Sequence, residues 1–442
     1  MLVVLLLVSI CNYMDRLSLS IVQDLIKEEL HRSHAQLGLL GGPMFALFYT
    51  VCGIPVARLA ERTNRAKLLA GAVAFWSAMT AACGAAVGFF SLGAARMGMG
   101  AGEGGCVPII QATVADTLRT TKRGLAMSFV AAGPPSSSIL LPLLLPPIVA
   151  IWGWRGAFVA LAIPGFFLAL LLWFTVKDPR AEGETDAKIV KKKGIFFSDL
   201  ARLMRDPAYV LLFIGGGAIG TAYSSVGLFQ VSFLLRVHEF SLVEAGQVWS
   251  IAGMVGLVGS FTGGFLADKF SDKTNSKSYL LTPAFATVLT FILFTGAFLA
   301  ASPVLCVIAL IAGGFTYNLK NGPIYASIQL IVPNSMRATG AAVHMFAVTT
   351  IGSLVGPTFA GFTSDFMAAT MYGTGISEFL AACPGGSAPD GATVGQIAAC
   401  ATASAEGLRW ALVAVASVFI VAGVSLFAAA KFMKVADEDA ES

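Results

Sequence analysis

The sequence predicts an all-α integral membrane protein with twelve transmembrane helices in two pseudo-symmetric bundles of six. Three observations support this prediction: few charged residues, long uncharged apolar stretches and an internal repeat. Charged residues make up 12% of the 442 residues, about half of the 25% that is typical of soluble domains. Residues 68–93 and 278–319 carry no charge. Since about 20 apolar residues cross a bilayer as a helix, each stretch can hold at least one span.

The apolar segments divide the chain into two halves of similar length. The hydrophilic break after the sixth segment predicts a cytoplasmic linker at 179–206 with a short amphipathic helix. This linker separates an N-terminal bundle, 1–178, from a C-terminal bundle, 207–433, which a cytoplasmic tail, 434–442, follows. The predicted spans lie near 1–26, 36–58, 67–90, 92–117, 123–150, 154–177, 208–235, 242–268, 278–301, 303–332, 337–366 and 405–433.

The distribution of basic residues predicts the orientation of these spans. Of the 29 Lys and Arg residues, 21 fall in alternate loops and the C-terminal tail, five in the opposite loops and three inside spans. Because basic residues are enriched in cytoplasmic loops, we expect an inner-membrane protein with both termini in the cytoplasm. The basic run Lys191, Lys192 and Lys193 of the linker is interpreted as facing lipid head groups, and a nucleic-acid partner is not expected.

Landmarks recur at nearly constant spacing and indicate that the two halves are duplicated. The loops after the second and the eighth span share the pattern small-x-Leu-Ala-acid-base, and their acids, Glu61 and Asp268, are 207 residues apart. Arg123 and Arg337 align with each other and are 214 residues apart. The Pro-Ile pairs that begin at Pro108 and Pro323 are 215 residues apart. Duplicated six-helix halves fit a transporter that rocks about a central site.

The first of these loops resembles the signature loop of the major facilitator superfamily, Gly-x-Leu-Ala-Asp-Arg-x-Gly-Arg-Arg/Lys, with Ala57, Glu61 and Asn64 as departures. The resemblance covers essentially the whole chain and implies a secondary transporter that works by alternating access. A carboxylate in this loop can pair with basic residues and lock one conformation; the alternative is a solvated turn that only sets topology. The predicted gate comprises Glu61, Arg62, Arg65, Arg119, Arg123, Asp268 and Lys269.

Four further motifs are similar to the spinster family of lipid-related transporters. They are Asn-Tyr-Met-Asp-Arg at 12–16, Arg-Met-Gly-Met-Gly-Ala-Gly-Glu at 96–103, Gly-Trp-Arg-x-Ala-Phe at 153–158 and Phe-Leu-Leu-Arg at 233–236. The first and the fourth span also resemble organic anion symporters that carry sugar acids. The spinster resemblance implies that Asp15, Arg16 and Glu103 take part in proton coupling.

Charged residues inside the N-terminal spans are the main site candidates, because a charge in a spanning helix is costly unless it is paired or hydrated. Arg96 and Glu103 are seven residues apart and share one helix face, whereas Asp15 and Arg16 point about 100° apart. We expect Glu103 and Asp15 to exchange the proton, Arg16 to change their proton affinity by moving, and Arg96 to attract an anionic substrate. The alternative is a permanent salt-bridge cluster that joins the two helices.

Candidates outside this cluster are polar residues of the other half and of the outer loops. Lys320 favours an anionic substrate; the alternative is that it snorkels or pairs with a helix end. His31, His34 and His238 are interpreted as exposed loop residues, with His31 able to sense external pH. The cysteine pattern shows no metal-ligand spacing, no cofactor is expected, and a disulfide can join Cys383 to Cys400 if their loop faces an oxidising compartment. The substrate-binding candidates of this half are Lys320, Asn318, Tyr223 and Gln230.

Two function classes remain open from the sequence. The first is a monomeric proton-coupled transporter, either of a lipid-like anion of the lysophospholipid or sphingolipid type or of an organic anion such as a sugar acid. The second is a non-transporting membrane sensor, which would need a sizeable soluble output domain that no segment provides. An enzyme is not expected, since Walker, His-Glu-x-x-His and Gly-x-Ser-x-Gly motifs are absent and the Gly-x-Gly-x-x-Gly at 100–105 lies in an apolar helix.

Overall fold

A computed structural model describes residues 1–117, 129–130, 132–176, 200–271, 276–333, 336–389 and 391–433. These residues form helices and turns, and no strand occurs among them. A π-helical turn spans Ala347–Ile351, between two helices of the C-terminal half. The helices are α1 (Leu2–Leu30), α2 (His34–Gly41), α3 (Pro43–Arg62), α4 (Arg65–Gly84), α5 (Phe89–Glu103), α6 (Cys106–Thr117), α7 (Gly133–Thr175), α8 (Pro207–Val237), α9 (Leu242–Lys269), α10 (Ser278–Leu299), α11 (Pro303–Asn318), α12 (Asn321–Ile331), α13 (Arg337–Phe346), α14 (Gly352–Tyr372), α15 (Ile376–Ala382) and α16 (Val394–Phe432).

The described helices agree with the predicted number of spans. Within the described residues, ten helical stretches are long and apolar enough to cross a membrane. One of them, α7, has 43 residues and bends at Gly153 (φ 66°), so it holds the predicted sixth span and residues 133–150 of the predicted fifth. The helices α5 and α6 are each too short to cross alone, and together they cover the predicted fourth span. The predicted all-α membrane fold is therefore confirmed.

The fourth and the tenth span are interrupted at equivalent points of the repeat. In the N-terminal half the interruption is Gly104–Gly105, directly after Glu103, and in the C-terminal half it is Leu319–Lys320, 215 residues later. Gly104 packs so closely on α3 that an added Cβ would overlap the carbonyl oxygen of Tyr49 and lie 3.0 Å from the Cα of Gly53. Each half thus places an ionisable side chain beside a helix break.

Contacts between the two halves gather at the predicted outer end, where α1 ends and α2 begins. There α1 packs on α8, α2 on α14 and α7 on α9. The Gln23 side chain donates to Ser232 Oγ at 2.8 Å and to the carbonyl oxygen of Leu228 at 2.5 Å. An added Cβ on Gly42 would lie 2.5 Å from the carbonyl oxygen of Ser353. The halves are therefore closed against each other at this end.

The predicted linker and tail lie mostly outside the described residues. Of the linker, residues 200–206 are described, and Leu203 is buried against Tyr209 and Leu212 of the C-terminal half. The C-terminal tail, 434–442, is outside the described part, and the domain boundaries stay a prediction. Cys383, directly after α15, forms a disulfide with Cys400 in α16, with a Cα–Cα distance of 5.6 Å. The predicted pairing is present, but Cys400 lies in a helix and not in the loop.

The orientation of the spans can be tested by labelling single cysteines in intact cells. In a chain whose five free cysteines are replaced, we expect a membrane-impermeant maleimide to label Val87→Cys, because Val87 is 89% exposed at the predicted outer end. Arg62→Cys, at the predicted cytoplasmic end of α3, should react only after permeabilisation. Labelling of Arg62→Cys in sealed cells would reverse the orientation.

Candidate functional site

The N-terminal half buries three of its four intramembrane charges almost completely. Asp15 on α1 is 2% exposed, Arg96 on α5 is 1% exposed and Glu103, the last residue of α5, is 0% exposed. The helices position these groups because each lies on the face that packs against a neighbouring helix of the same half. Burial of so many charges in one bundle is costly unless they compensate one another.

Arg16 is the member of this cluster that reaches the central cavity. Its guanidinium Nη2 lies 3.8 Å from Oε2 of Glu103, and its side chain keeps 23% of its surface exposed. Aromatic rings surround it, with the Tyr49 centroid at 4.5 Å and the Tyr13 and Phe45 centroids at 5.0 Å. Cation–π contacts hold a guanidinium without neutralising it. Arg16 can therefore leave Glu103 while it remains stabilised by the aromatic cage.

Asp15 and Arg96 lie behind α1, away from the cavity. Asp15 faces Trp76 of α4 and lies within electrostatic range of Glu103 and Arg96. Arg96 donates through Nη1 to the backbone oxygen of Asp15 at 3.4 Å. The 100° separation between residues 15 and 16 thus sends one side chain into the bundle and the other into the cavity. The structure differs from the prediction for Arg96, which is enclosed and does not line the cavity.

The pairing within this cluster is incomplete. Neither carboxylate oxygen of Glu103 accepts a hydrogen bond of normal geometry from a described donor, although the side-chain amide of Asn12 lies close enough to act as a weak donor. A permanent structural ion pair needs its remaining lone pairs satisfied to offset desolvation. The long Arg16–Glu103 contact and the weakly bonded oxygens therefore favour a cluster that changes partners over a permanent salt bridge.

A cavity of about 350 Å³ lies between the two halves, next to Arg16. Arg16 is the only charged residue among the described residues that line it. Aromatic rings and hydroxyl groups form most of the remaining wall, so one face suits apolar groups and another suits polar ones. The wall consists of Tyr13, Arg16, Leu17, Ser20, Gly41, Pro134, Ser138, Gly220, Tyr223, Ser224, Gly227, Leu228, Trp249, Tyr317, Val348, Thr349, Ser353 and Pro357.

In the C-terminal half, Lys320 lies behind a stacked pair of tyrosines. Tyr223 and Tyr317 stack with centroids 3.7 Å apart, and the Lys320 ammonium lies 3.7 Å from the Tyr317 centroid on α11. Lys320 Nζ donates to Asn321 Oδ1 at 2.9 Å and forms no ion pair with a carboxylate among the described residues. It lines a separate cavity of about 40 Å³ with His344. Lys320 is therefore one aromatic layer away from the central cavity.

Two of the predicted substrate contacts lie elsewhere. Gln230 is 8% exposed and is absent from the described cavity wall. Asn318 donates to the Gly314 carbonyl oxygen at 2.8 Å and accepts from Asn321 at 3.0 Å, so it supports the break between α11 and α12. Sequence reasoning missed Trp249, which the pattern of an apolar span does not separate from a packing residue.

The predicted gate is described only in part. Arg62, Asp268 and Lys269 are exposed, and Asp268 accepts a hydrogen bond from the Tyr279 hydroxyl at 2.8 Å. Arg65 begins α4 and is half-buried. The side chain of Glu61 and all of Arg119 and Arg123 lie outside the described residues, so the predicted pairing between them is not tested.

Comparison with known proteins places the chain in a family. The sequence profile of the Major Facilitator Superfamily matches residues 5–357. The chain belongs to the Major Facilitator Superfamily. Its members are transporters, and the predictions of a transporter and not an enzyme are confirmed. The match covers the cluster around Glu103, the cavity and the helix breaks.

Individual relatives span most of the chain. An MFS-type efflux pump of Mycolicibacterium smegmatis is 31% identical over 366 residues, which are 82% of this chain and 83% of that protein. A hexuronate transporter of Bacillus subtilis is 26% identical, with 84% and 90% covered. The crystal structure of a bacterial homologue of the human lysosomal transporter Spinster, inward-facing and unoccupied, superposes with a TM-score of 0.84 at 27% identity and covers 98% and 96%. The chain is thus related both to spinster proteins and to sugar-acid transporters.

The break after Glu103 provides a stability prediction. Gly104→Ala should lower the free energy of unfolding by about 1–3 kcal/mol, because the added methyl group meets the backbone of α3. The matched control is Gly71→Ala on α4, where an added Cβ meets nothing within 4 Å. This variant should be neutral or gain about 0.5–1 kcal/mol. Thermal unfolding in detergent measures both, and equal melting temperatures would contradict the close packing at Gly104.

Proposed function

We propose that the protein is a proton-coupled secondary active transporter of amphiphilic organic anions that works by alternating access. The observation that carries this proposal is the incomplete contact between Arg16 and Glu103 at the cavity wall, 3.8 Å long and without hydrogen bonds of normal geometry to the carboxylate from described residues. Family membership supports transport itself. The identity of the coupling ion and of the substrate rests on the chemistry of the cavity.

Coupling follows from competition for the guanidinium of Arg16. An anionic substrate that enters the cavity meets Arg16 as the charged group of the described wall. When the substrate anion pairs with Arg16, Glu103 loses its cationic partner in a buried environment, which favours uptake of a proton from water by its carboxylate. The proton and the anion then support each other's binding, as a symporter requires. Asp15, with Arg96 beside it, is the second carboxylate that takes part in the proposed proton transfer.

The rings in the wall favour a substrate with an apolar part. Tyr13, Tyr223, Tyr317 and Trp249 surround the space beyond Arg16, and buried aromatic faces bind apolar groups well. A head group at Arg16 with an apolar body along these rings describes a lipid-like or other amphiphilic anion. Lys320, behind Tyr317, adds positive potential to the same side of the cavity.

A sugar acid is the second candidate substrate, and the hydroxyl groups of the wall favour it. Ser20, Ser138, Ser224, Thr349 and Ser353 line the same cavity, and a polyhydroxylated substrate needs such partners. The similarity to the hexuronate transporter agrees with this alternative.

The remaining features of the transport cycle are part of the proposal. We place both termini in the cytoplasm, so that the closed end faces the outside of the cell. The loops after the second and the eighth span then face the cytoplasm. The charged residues of these loops would then lock the inner end when it closes. Protons and membrane lipids are the expected partners, and a monomer is sufficient because the cavity lies within one chain.

Replacing Glu103 with Gln tests proton coupling. Glu103→Gln removes the titrating group and keeps its size, so pH-driven uptake into liposomes should fall to the level of empty liposomes. Substrate exchange without a pH gradient should persist, because exchange needs no net proton movement. The exposed Glu239→Gln serves as the matched control and should transport like the wild type. Unchanged pH-driven uptake by Glu103→Gln would remove the basis of the mechanism.

A series of straight-chain carboxylic acids distinguishes the two substrate classes. If the cavity binds amphiphiles, affinity should rise about fourfold for each added methylene, or about 0.8 kcal/mol, until the wall is filled. Tyr223→Ala should then weaken binding of a long acid about tenfold, whereas Ser353→Ala should have little effect. Affinity that is flat with chain length, together with loss of glucuronate binding in Ser353→Ala, would favour the sugar acid. Thermal stabilisation at graded ligand concentrations gives each dissociation constant.

A further inference from the structure

A second group of buried charges lies at the closed end, about six to seven helical turns from the start of α1, and is separate from the cluster around Glu103. We call it the outer cluster. It combines residues of both halves. Lys27 and His34 are each 1% exposed, Asp365 is 4% exposed and Asp24 is 7% exposed, whereas the Arg236 side chain keeps 14% of its surface exposed. The outer cluster consists of Asp24, Lys27, His34, Arg236, Ser364, Asp365 and Ser404.

This arrangement corrects the sequence interpretation of His34. The sequence predicted an exposed loop residue, and the structure shows a buried side chain at the first position of α2. Ser33 caps this helix, and the backbone N–H groups of His34 and Ala35 donate to the Asp365 carboxylate at 3.1 and 2.8 Å. The helix start is therefore fastened to α14, 330 residues away. Only the tertiary structure brings these two elements together.

The contacts of the His34 ring fit its neutral form when Lys27 is charged. Lys27 Nζ lies 2.9 Å from Nε2 of His34, and a charged lysine can only donate, so Nε2 accepts. The other ring nitrogen, Nδ1, then carries the hydrogen and donates to Ser364 Oγ at 2.9 Å. A doubly protonated ring would place its Nε2–H against the Lys27 ammonium. The closed end is thus built around an uncharged histidine.

The charges of the outer cluster balance only when His34 is neutral. Arg236 pairs with Asp24 at 2.7 Å, and Lys27 and Asp365 supply the second cation and the second anion. Asp365 already accepts two backbone hydrogen bonds, and its Oδ1 is 3.7 Å from Nδ1 of His34. A proton on His34 would therefore add an uncompensated charge to an enclosed space, and such a charge is strongly destabilising.

Charged, polar and aromatic groups face His34 from three neighbouring helices. Lys27 faces it from α1, Phe229 and Arg236 from α8, and Ser364 and Asp365 from α14. Ser404 of α16 bridges Lys27 and Arg236 at 3.3 and 2.9 Å.

A turn of the long outer loop closes the outer cluster from above. An added Cβ on Gly386 would lie 2.6 Å from Lys27 Nζ, and one on Gly385 would lie 2.9 Å from the Lys27 carbonyl oxygen. The Cys383–Cys400 disulfide holds this turn in place.

We propose that His34 is a second proton-binding site, which holds the outer end closed when neutral and releases it when protonated. The inference rests on alternating access from the proposed function, but not on the role of Glu103. A proton that binds His34 only in the outward-open state shifts the population towards that state by mass action. The shift can reach tenfold in the open-to-closed ratio for each pH unit. Acid on the outer side thus favours exposure of the cavity to that side.

The other histidines near the outer end do not share this environment. His31 is exposed at the end of α1 and adopts a left-handed backbone conformation (φ 50°). His238, in the turn after α8, is half-buried, and desolvation followed by the charge of Arg409 lowers the pKa of this histidine. His238 contacts the Phe233 ring and no member of the outer cluster among the described contacts. His31 is therefore a suitable control site.

The test measures the opening of the outer end directly, without substrate. Spin labels at Val87→Cys and Val304→Cys, on opposite halves and both exposed, report the distance across the outer end in nanodiscs. The five free cysteines are replaced, and the disulfide is kept. Between pH 8 and pH 5, the wild-type distance distribution should shift towards longer distances. His31→Asn, which keeps the left-handed helix end, should shift in the same way.

Substitutions in the outer cluster should change this response in different directions. His34→Gln can accept from Lys27 and donate to Ser364 but binds no proton, so it should stay closed at every pH. His34→Arg carries a charge at every pH and should be open even at pH 8. Lys27→Gln leaves room for a cationic His34, so acid should no longer open the outer end. Thermal unfolding of each variant confirms that it is folded.

Combination with Glu103→Gln separates this inference from the proposed function. Glu103→Gln should lose pH-driven uptake and keep the acid-induced opening. If Glu103→Gln abolishes the opening while His34 is intact, or if His34→Gln opens like the wild type, then His34 is not the titrating group. A wild-type distance that does not change between pH 8 and pH 5 also overturns the inference.

Discussion

The cost of enclosing charge inside a membrane protein governs the organisation of this transporter. Every ionisable side chain in the bundle must find a partner, water or a neutral form. The chain meets this requirement at two levels, around Glu103 in the N-terminal half and around His34 between the halves. At both levels, how well the buried charges are compensated depends on the conformation of the protein. The Arg16–Glu103 contact is long and incomplete, and the outer cluster balances only with an uncharged imidazole, so rearrangement of the halves changes the energy of both.

Duplication explains where these charges can be accommodated. The fourth and the tenth span break at positions 215 residues apart, and each break carries an ionisable residue, Glu103 or Lys320. A broken helix leaves backbone groups free to interact with a nearby charge, which a continuous helix cannot do. The two halves have specialised differently, because Glu103 faces Arg16 at the cavity whereas Lys320 lies behind Tyr317. The repeat therefore supplies equivalent positions, and local packing gives them different roles.

The two charged levels have different access to solvent, and this difference suits them to different steps. Arg16 is partly exposed to the cavity, so a substrate can contact it directly. In the outer cluster, Lys27 and His34 are buried under the turn at Gly385–Gly386, and under the proposal they gain water when the halves separate. An ionisable group that is hydrated only in the outward-open state exchanges protons only with the solution on the outer side of the membrane. Substrate recognition and control of the outer end can thus use separate protons.

The sequence by itself determined the membrane fold, the number of spans and the intramembrane charges, because lipid forces each backbone segment to satisfy its own hydrogen bonds. Helical spacing also predicted that Asp15 and Arg16 point apart. Only the tertiary structure decided that Arg16, and not Arg96, faces the cavity, and that Gln230 does not. It also decided that His34 is buried against Asp365, 331 residues away. Such contacts depend on which helices pack together between the halves. The pattern of apolar residues along one helix shows which face is buried but does not identify the helix that packs on it.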